Sequence, residues 1–86
     1  MTEKEFVAEV TIEYKPSLSD PEGATIANDL MKRNGFEHVD RVRTAKLLRI
    51  HLKAANKDKA KSMVDKMCRE LRLANPVSQD YSVSIA

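Results

Sequence analysis

Apolar and polar residues alternate along three stretches of the chain, which is the pattern of a β-strand with one buried face. The alternation is clearest at 6–14, where Val7 is an exception, and at 46–54, and it returns in a shorter form at 81–85. A weaker strand is predicted at 37–43, where Val39 and Val42 break the alternation. That break indicates an irregular or edge strand.

Two other stretches place apolar residues at helical spacing. Asp20 is suited to cap the first helix and Pro21 to occupy its first position, where a missing N–H costs nothing, while Gly35 is suited to end it. The second helix is predicted from a cap at Asn56 to about Leu73. Its apolar stripe is the strongest periodic signal in the chain and consists of Ala60, Met63, Val64, Met67, Cys68 and Leu71.

The predicted element order is therefore β-α-β-β-α-β. Each helix has one apolar stripe and each strand one apolar face, so we predict an α+β fold in which two helices cover one face of a four-stranded antiparallel sheet. Right-handed crossovers lead to a ferredoxin-like arrangement, in which the first and third strands are central neighbours. Opposite charges on the outer faces of these two strands favour the pairing, with Glu9 and Glu13 on one and Arg49, His51 and Lys53 on the other.

Composition narrows the classes of partner. Eighty-six residues are enough for one domain, predicted to span 1–86. A net charge of +2 and 5% aromatic residues do not favour nucleic acid or an anionic membrane as a partner. The first thirty residues hold no long apolar run, so neither a signal peptide nor a membrane span is expected. One cysteine, Cys68, leaves no internal disulfide and fits a reducing cytosol.

Gly23, in the first turn of the first predicted helix, has two interpretations. A phosphate site at a helix start needs free backbone N–H groups and no competing negative charge. Asp20 and Glu22 would both compete with an anion, and the repeated glycines of a phosphate-binding loop are missing. We therefore favour the second interpretation, in which the glycine lets the helix start pack closely against a neighbouring backbone.

Residue spacing predicts no catalytic, cofactor-binding or metal site. Cys68 lies on an apolar stripe, which is typical of a buried packing thiol, and no histidine is placed beside it as a base. His38 and His51 fall on different predicted elements and lack the paired spacing of zinc ligands. A small α+β domain without reactive groups is most simply an association module.

Three motifs in register resemble those of one protein family. They are K-P-S-L-S-D-P-E-G at 15–23, N-G-F-E-H-V-D-R-V-R at 34–43 and L-A-N-P-V-S-Q-D-Y at 73–81. Their order and spacing, and the total length, are similar to those of the PurS family, the small subunit of phosphoribosylformylglycinamidine (FGAM) synthase. The resemblance covers nearly the whole chain.

The resemblance implies a non-catalytic role in de novo purine biosynthesis. The complete enzyme converts formylglycinamide ribonucleotide (FGAR) to FGAM with ATP and glutamine. A synthetase subunit uses the ATP and Mg, a glutaminase subunit releases ammonia, and the small subunit holds the two together and assists ammonia transfer. The family resemblance also implies a cytoplasmic homo-oligomer, a dimer or a dimer of dimers, with no cofactor bound by this chain.

The family-like turns are the residues expected to matter, as interface or turn positions. Arg43 and Lys46 are expected near a hairpin, where they could meet a partner or an anionic group. The sequence departs from the family pattern at Ala45 and Ser17, where glycine is common, so a left-handed backbone at Ala45 is not expected. The remaining expected positions start one helix or follow the other, and are Asp20, Pro21, Gly23, Asn75 and Pro76.

Two alternatives belong to other classes of protein. A small ligand-sensing regulatory domain of the amino-acid-binding type shares the predicted strand and helix order. A free-standing small enzyme would need a nucleophile, and Cys68 is its only candidate.

Overall fold

A computed structural model describes residues 3–86. Residues 1 and 2, which the predicted single domain 1–86 includes, lie outside the described part. The strands are β1 (Lys4–Tyr14), β2 (Ala45–Ala54) and β3 (Gln79–Ile85). The described residues form two α-helices, α1 (Pro21–Thr25) and α2 (Lys57–Glu70). The first continues as a π-helical segment at Ile26–Met31 and a 3₁₀ turn at Lys32–Asn34.

The three strands form one antiparallel sheet with β1 in the centre, in the order β2-β1-β3. The predicted adjacency of the first strand and the strand at 46–54 is confirmed. Glu9 lies opposite Arg49, and the Arg49 Nε donates to the Glu9 carboxylate at 3.1 Å. Within residues 3–86 Glu13 has no such partner, since it lies opposite Ala45 on β2 and Asp80 on β3.

The predicted strand at 37–43 is wrong, because the described residues form a three-stranded sheet and not a four-stranded one. A strand exists only where a neighbouring edge accepts its backbone hydrogen bonds. Residues 36–43 instead return alongside the first helical segment, and no edge of the sheet pairs with them. We call residues 21–43, the outgoing helix and this return, the arm.

The prediction that both helices cover the sheet is also wrong, because only α2 packs on it within the described chain. The helical part of the arm has no Cα within 8 Å of a Cα in any strand. The core therefore forms between α2 and the inner face of the sheet, and the described residues extend over 57 × 27 × 14 Å. Its buried members include Ala8, Val10 and Ile12 of β1 and Val64 and Cys68 of α2.

Separating the arm from the sheet leaves apolar side chains exposed on the arm and on α2. On the arm, Leu30 is 59% exposed and Phe36 is 65% exposed. On α2, Met63 is 43% exposed and Leu71 is 68% exposed, although both belong to the stripe predicted to be buried. The side of α2 that a second helix would cover in a ferredoxin-like layer is therefore uncovered in the single chain.

The exit of α2 depends on a left-handed residue. The helix ends at Glu70, earlier than the predicted Leu73, and Arg72 has a φ of 51°. The Leu73 N–H then donates to the Cys68 carbonyl at 3.2 Å, which is the Schellman pattern. Glycine normally occupies the position of Arg72.

Replacing Arg72 by glycine should therefore stabilise the protein. Relief of the left-handed strain, about 1–2 kcal/mol, exceeds the added unfolded-state entropy of glycine, about 0.4–1 kcal/mol, so we expect a net gain of roughly 0.5 kcal/mol in urea unfolding. Glu70→Gly is the control, because the last helical residue gains nothing and should lose about 1 kcal/mol. A loss of stability in Arg72→Gly would contradict the strain.

Candidate functional site

Asp20 organises the junction where the arm leaves the sheet. The side chain is buried, at 5% exposure, and one carboxylate oxygen accepts the Gly23 N–H at 2.9 Å. The other accepts the Thr44 N–H at 2.6 Å and the Thr44 hydroxyl at 2.7 Å. Pro21 occupies the first position of α1, where it sacrifices no hydrogen bond. One carboxylate thus joins the start of the arm to its end.

The same hydrogen bonds set the charge of Asp20. They lower its pKa from 3.8 to about 2, with the Gly23 N–H contributing most and the two Thr44 donors following. Burial opposes this shift, and the positive charge of Arg43 adds only a small lowering. Asp20 is therefore an ionised cap at neutral pH whose oxygens are already occupied, which does not suit a general acid or base.

Gly23 is packed against the returning arm. A Cβ built on Gly23 would lie 2.1 Å from the Val42 carbonyl oxygen, far inside any permitted contact. Because the Asp20 carboxylate takes the Gly23 N–H, that group is not free for a phosphate. The geometry agrees with the close-packing interpretation of this glycine.

Arg43 closes the junction on the other side. Its guanidinium donates to the Leu18 carbonyl at 2.8 Å and to the Lys15 carbonyl at 3.2 Å. These carbonyls belong to the turn between β1 and the arm, so Arg43 ties the end of the arm to that turn. Arg43, predicted as an interface or turn position that could meet a partner or an anionic group, thus contacts backbone of its own chain in this structure.

Lys46, Asn75 and Pro76 lie outside this cluster. Lys46 is exposed at the start of β2, where it lines a cleft of about 260 Å³ with Glu13 and Glu22.

The Asn75 carboxamide oxygen accepts the Val77 N–H at 3.0 Å. Asn75 and Pro76 therefore shape the turn that leads into β3, whereas the exit of α2 is set earlier, at Arg72. Ala45 does not have a positive φ, which agrees with the expectation drawn from alanine standing where glycine is common.

Sequence reasoning missed two features of this end of the molecule. Thr44 gave no local signal, because its partner Asp20 is 24 residues away. Asp65 accepts both the Tyr81 hydroxyl at 2.8 Å and the Arg69 Nε at 3.0 Å. The spacing of Asp65 and Arg69 is a recognisable helical ion pair, but the contribution of Tyr81 depends on the position of β3.

The Tyr81–Asp65–Arg69 contacts lie between two clefts. The hydrogen bond from Tyr81 lowers the pKa of Asp65 and raises that of Tyr81 itself, so the pair stays in its ordinary charge states at neutral pH. One cleft, of about 630 Å³, opens between the end of α2 and the start of β3, with Lys15, Arg72 and Asp80 at its rim. The second cleft, of about 550 Å³, lies between α2 and β3.

The remaining candidate groups do not assemble into a reactive site. Cys68 is buried and free, and burial first, then the nearby Asp65 charge, raises the pKa of its thiol. A thiol that is protonated and buried is a poor nucleophile. Within residues 3–86 no three histidine, cysteine or acidic side chains come together as a metal site. In the same range no helix has the length and apolar character that a membrane crossing needs.

The fold and the junction together define a class of protein. The chain is a small α+β domain in which Asp20, Arg43 and Thr44 position backbone, and which exposes apolar side chains on the arm and on α2.

Comparisons with known proteins identify the family within that class. The family model PurS, phosphoribosylformylglycinamidine (FGAM) synthase, matches residues 7–86. The chain belongs to this family. It is 40% identical over 78 residues to phosphoribosylformylglycinamidine synthase subunit PurS of Archaeoglobus fulgidus, covering 91% of this chain and 95% of that protein.

Solved structures show the same relationship. The PurS subunit of phosphoribosylformylglycinamidine synthase from Thermotoga maritima superposes with a TM-score of 0.88 at 32% identity, covering 100% of this chain and 97% of the other. A chain in the structure of PurLQS from Thermotoga maritima superposes with a TM-score of 0.86 at 34% identity, covering 96% and 99%.

Proposed function

We propose that this chain is the small subunit of a phosphoribosylformylglycinamidine synthase, and that it assembles the synthetase and glutaminase subunits for the conversion of FGAR to FGAM in de novo purine biosynthesis. The observation that carries the proposal is the match, over 96% of the chain, to a chain in the structure of PurLQS. The family membership of residues 7–86 supports it.

The chemistry of the described residues suits an assembly role. Asp20 and Asp65 are held by hydrogen bonds, Arg43 is bound to its own backbone, and the Cys68 thiol is buried. In this proposal the synthetase subunit uses ATP and Mg²⁺, the glutaminase subunit releases ammonia, and the chain helps ammonia reach the synthetase. A buried free thiol is compatible with the reducing cytoplasm in which we place the complex.

Reconstitution tests the assembly role. Synthetase and glutaminase subunits from the same organism are assayed for FGAM formation with and without this chain, once with glutamine and once with ammonium as the nitrogen source. We expect the chain to be required with glutamine and dispensable with ammonium, because only glutamine needs the two active sites to be joined. Equal glutamine-dependent rates with and without the chain would overturn the proposal.

We infer further that the chain self-associates through its arm. The exposed Leu30 and Phe36 of one copy have an apolar counterpart in the uncovered side of α2 at Met63 and Leu71 of another. An arm that packed on a second copy would supply the second helix beside α2, which each single sheet lacks. An 86-residue chain also gains stability from such burial, because its own core is small.

Light scattering tests the role of the arm. The wild-type chain should have at least twice the molar mass of one copy, and Leu30→Glu should lower that mass, because a carboxylate cannot enter an apolar contact without a partner. Asn28→Glu is the matched control, since it adds the same charge at another exposed arm position. Equal masses for the two variants would contradict an interface at Leu30.

A further inference from the structure

The cleft between the end of α2 and the start of β3 has the size of a small-molecule site. Its volume of about 630 Å³ lies within the range of ~300–1,000 Å³ that such sites occupy in proteins. Part of its lining is apolar, from Cys68, Ala74 and Pro76. Gln79 also lines it, and because its carboxamide oxygen accepts the Asn75 N–H at 2.8 Å, its NH₂ group is left as a donor. The cleft therefore offers apolar contact together with polar donors.

Positive charge predominates among the residues that line this cleft. Lys15, Arg69 and Arg72 are cations, whereas Asp80 is the one carboxylate in the lining. Two groups oppose an anion here, namely Asp80 and the end of α2 with its partial negative charge. Asp80 is already held by Lys15 at 3.5 Å, in a pair whose side chains are both exposed. Exposed ion pairs contribute little, so Lys15 can leave this pair for a ligand of higher charge.

The two arginines keep N–H donors for a ligand. Arg69 donates its Nε to Asp65 at 3.0 Å, and its terminal N–H groups are left. The guanidinium of Arg72 forms no ion pair within residues 3–86. Arg72 is also left-handed, at a φ of 51°, although it is exposed and burial does not account for a long side chain there. Strained residues cluster at ligand-binding sites, which makes Arg72 the first candidate to hold an anion.

We propose that this cleft binds a phosphorylated small molecule, with the phosphate group held by Arg72 together with Lys15 and Arg69, and the organic part against Ala74 and Pro76. Guanidinium groups bind phosphate oxygens through paired N–H donors, and lysine adds a point charge. A phosphate monoester carries about 1.5 to 2 negative charges at neutral pH, so it attracts three cations more strongly than a carboxylate does.

This site is independent of the surfaces described above. It shares no lining residue with the apolar side of α2 at Met63 and Leu71, which lies on another face of the helix. Ligand binding by the purified chain is measured without synthetase or glutaminase subunits. Failure of the proposed assembly role and failure of this proposal can therefore be told apart.

Amide chemical shifts of the isotope-labelled chain test the site and the class of ligand. We expect AMP and ribose 5-phosphate each to shift the amides of residues 72–74 and 79–81, and adenosine, which lacks the phosphate, to leave them unchanged. Tighter binding of AMP would identify a nucleotide as the ligand, and tighter binding of ribose 5-phosphate a sugar phosphate. No shift of these amides with either phosphate at about 10 mM, or equal shifts with adenosine, would overturn the proposal.

Arg72→Gly separates ligand binding from folding. Because this variant should be at least as stable as the wild type, weaker binding cannot be attributed to lost structure. We expect the Kd for AMP to rise on the order of 10-fold or more, as charged hydrogen bonds are lost. Arg41→Gln, which removes the same charge at an exposed arm position, is the control and should bind as the wild type does. Equal affinities of Arg72→Gly and the wild type would overturn the proposal.

Asp80→Asn tests the same site by a gain of affinity. It frees Lys15 and removes the carboxylate from the lining, so AMP should bind about two- to fivefold more tightly. Asp29→Asn changes the charge of the chain equally at an exposed arm position and should leave the affinity unchanged. An affinity of Asp80→Asn that is no higher than that of the wild type, or the same gain in both variants, would overturn the proposal.

Discussion

Gly23→Ala will detach the start of the arm from its end and lower the free energy of unfolding by about 2 kcal/mol or more. The new Cβ would lie 2.1 Å from the Val42 carbonyl oxygen, and both groups are part of the backbone. Neither can move by side-chain rotation, so α1 or the segment before Thr44 must shift. For a domain of this size, thermal unfolding should show a loss of roughly 10 °C or more.

Gly35→Ala is the control for this prediction. Nothing lies within 4 Å of a Cβ at Gly35, but its φ of 96° strains any other residue, so we expect a loss of only about 1 kcal/mol. The two glycines therefore separate close approach from backbone conformation. If Gly23→Ala is no less stable than Gly35→Ala, the contact with Val42 is not a constraint in solution.

Asp20→Asn will remove most of the acid sensitivity of the junction and destabilise the protein at neutral pH. An amide supplies one acceptor where the carboxylate oxygens receive three donors, from Gly23 and Thr44. Its NH₂ group would also face donors in place of an acceptor. We expect a loss on the order of 10 °C in thermal unfolding at pH 7.

The pH dependence follows from the direction of the pKa shift. The pKa of Asp20 falls from 3.8 to about 2 on folding, so its contribution to stability is complete above about pH 4 and is lost as the pH falls towards 2. The difference in stability between wild type and Asp20→Asn should therefore shrink over that interval. Asp29→Asn, at an exposed arm position, is the control and should track the wild type. A constant wild-type advantage from pH 6 to pH 2 would contradict an ionised cap.

Local patterns predicted the elements whose causes are local. The alternation at 6–14 and 46–54 identified β1 and β2. The predicted arrangement made them neighbours, and the opposite charges on their outer faces supported that pairing. The cap at Asp20 and the stripe of α2 were readable because a cap involves residues three apart and a stripe repeats every turn. The end of α2 was misplaced by about three residues, because the apolar stripe runs on to Leu71, past the last helical residue Glu70, and the left-handed Arg72 has no local signal.

Only part of the candidate site could be predicted from the sequence. Asp20, Pro21 and Gly23 were found by their order around a helix start, and the negative charge there argued against a phosphate. Their partners on the returning arm were not, since nothing at 42–44 indicates contact with residues some twenty positions earlier. For Arg43 the sequence left an interface role and a turn role open, because an arginine near a turn looks the same in sequence whether it binds a partner, an anion or its own backbone carbonyls.

Hydrophobic periodicity and helix caps were enough to define an α+β domain, its helix starts and the pairing of its first two strands, since these depend on short-range patterns. Three motifs in register were enough to define its family, since a family has a characteristic order of residues. The path of the arm depended on the folded chain. A strand at 37–43 or a helix against the sheet requires a neighbouring surface, and the junction of Asp20, Gly23, Arg43 and Thr44 directs residues 21–43 away from it. Contacts between distant residues set that direction, and no local pattern encodes it.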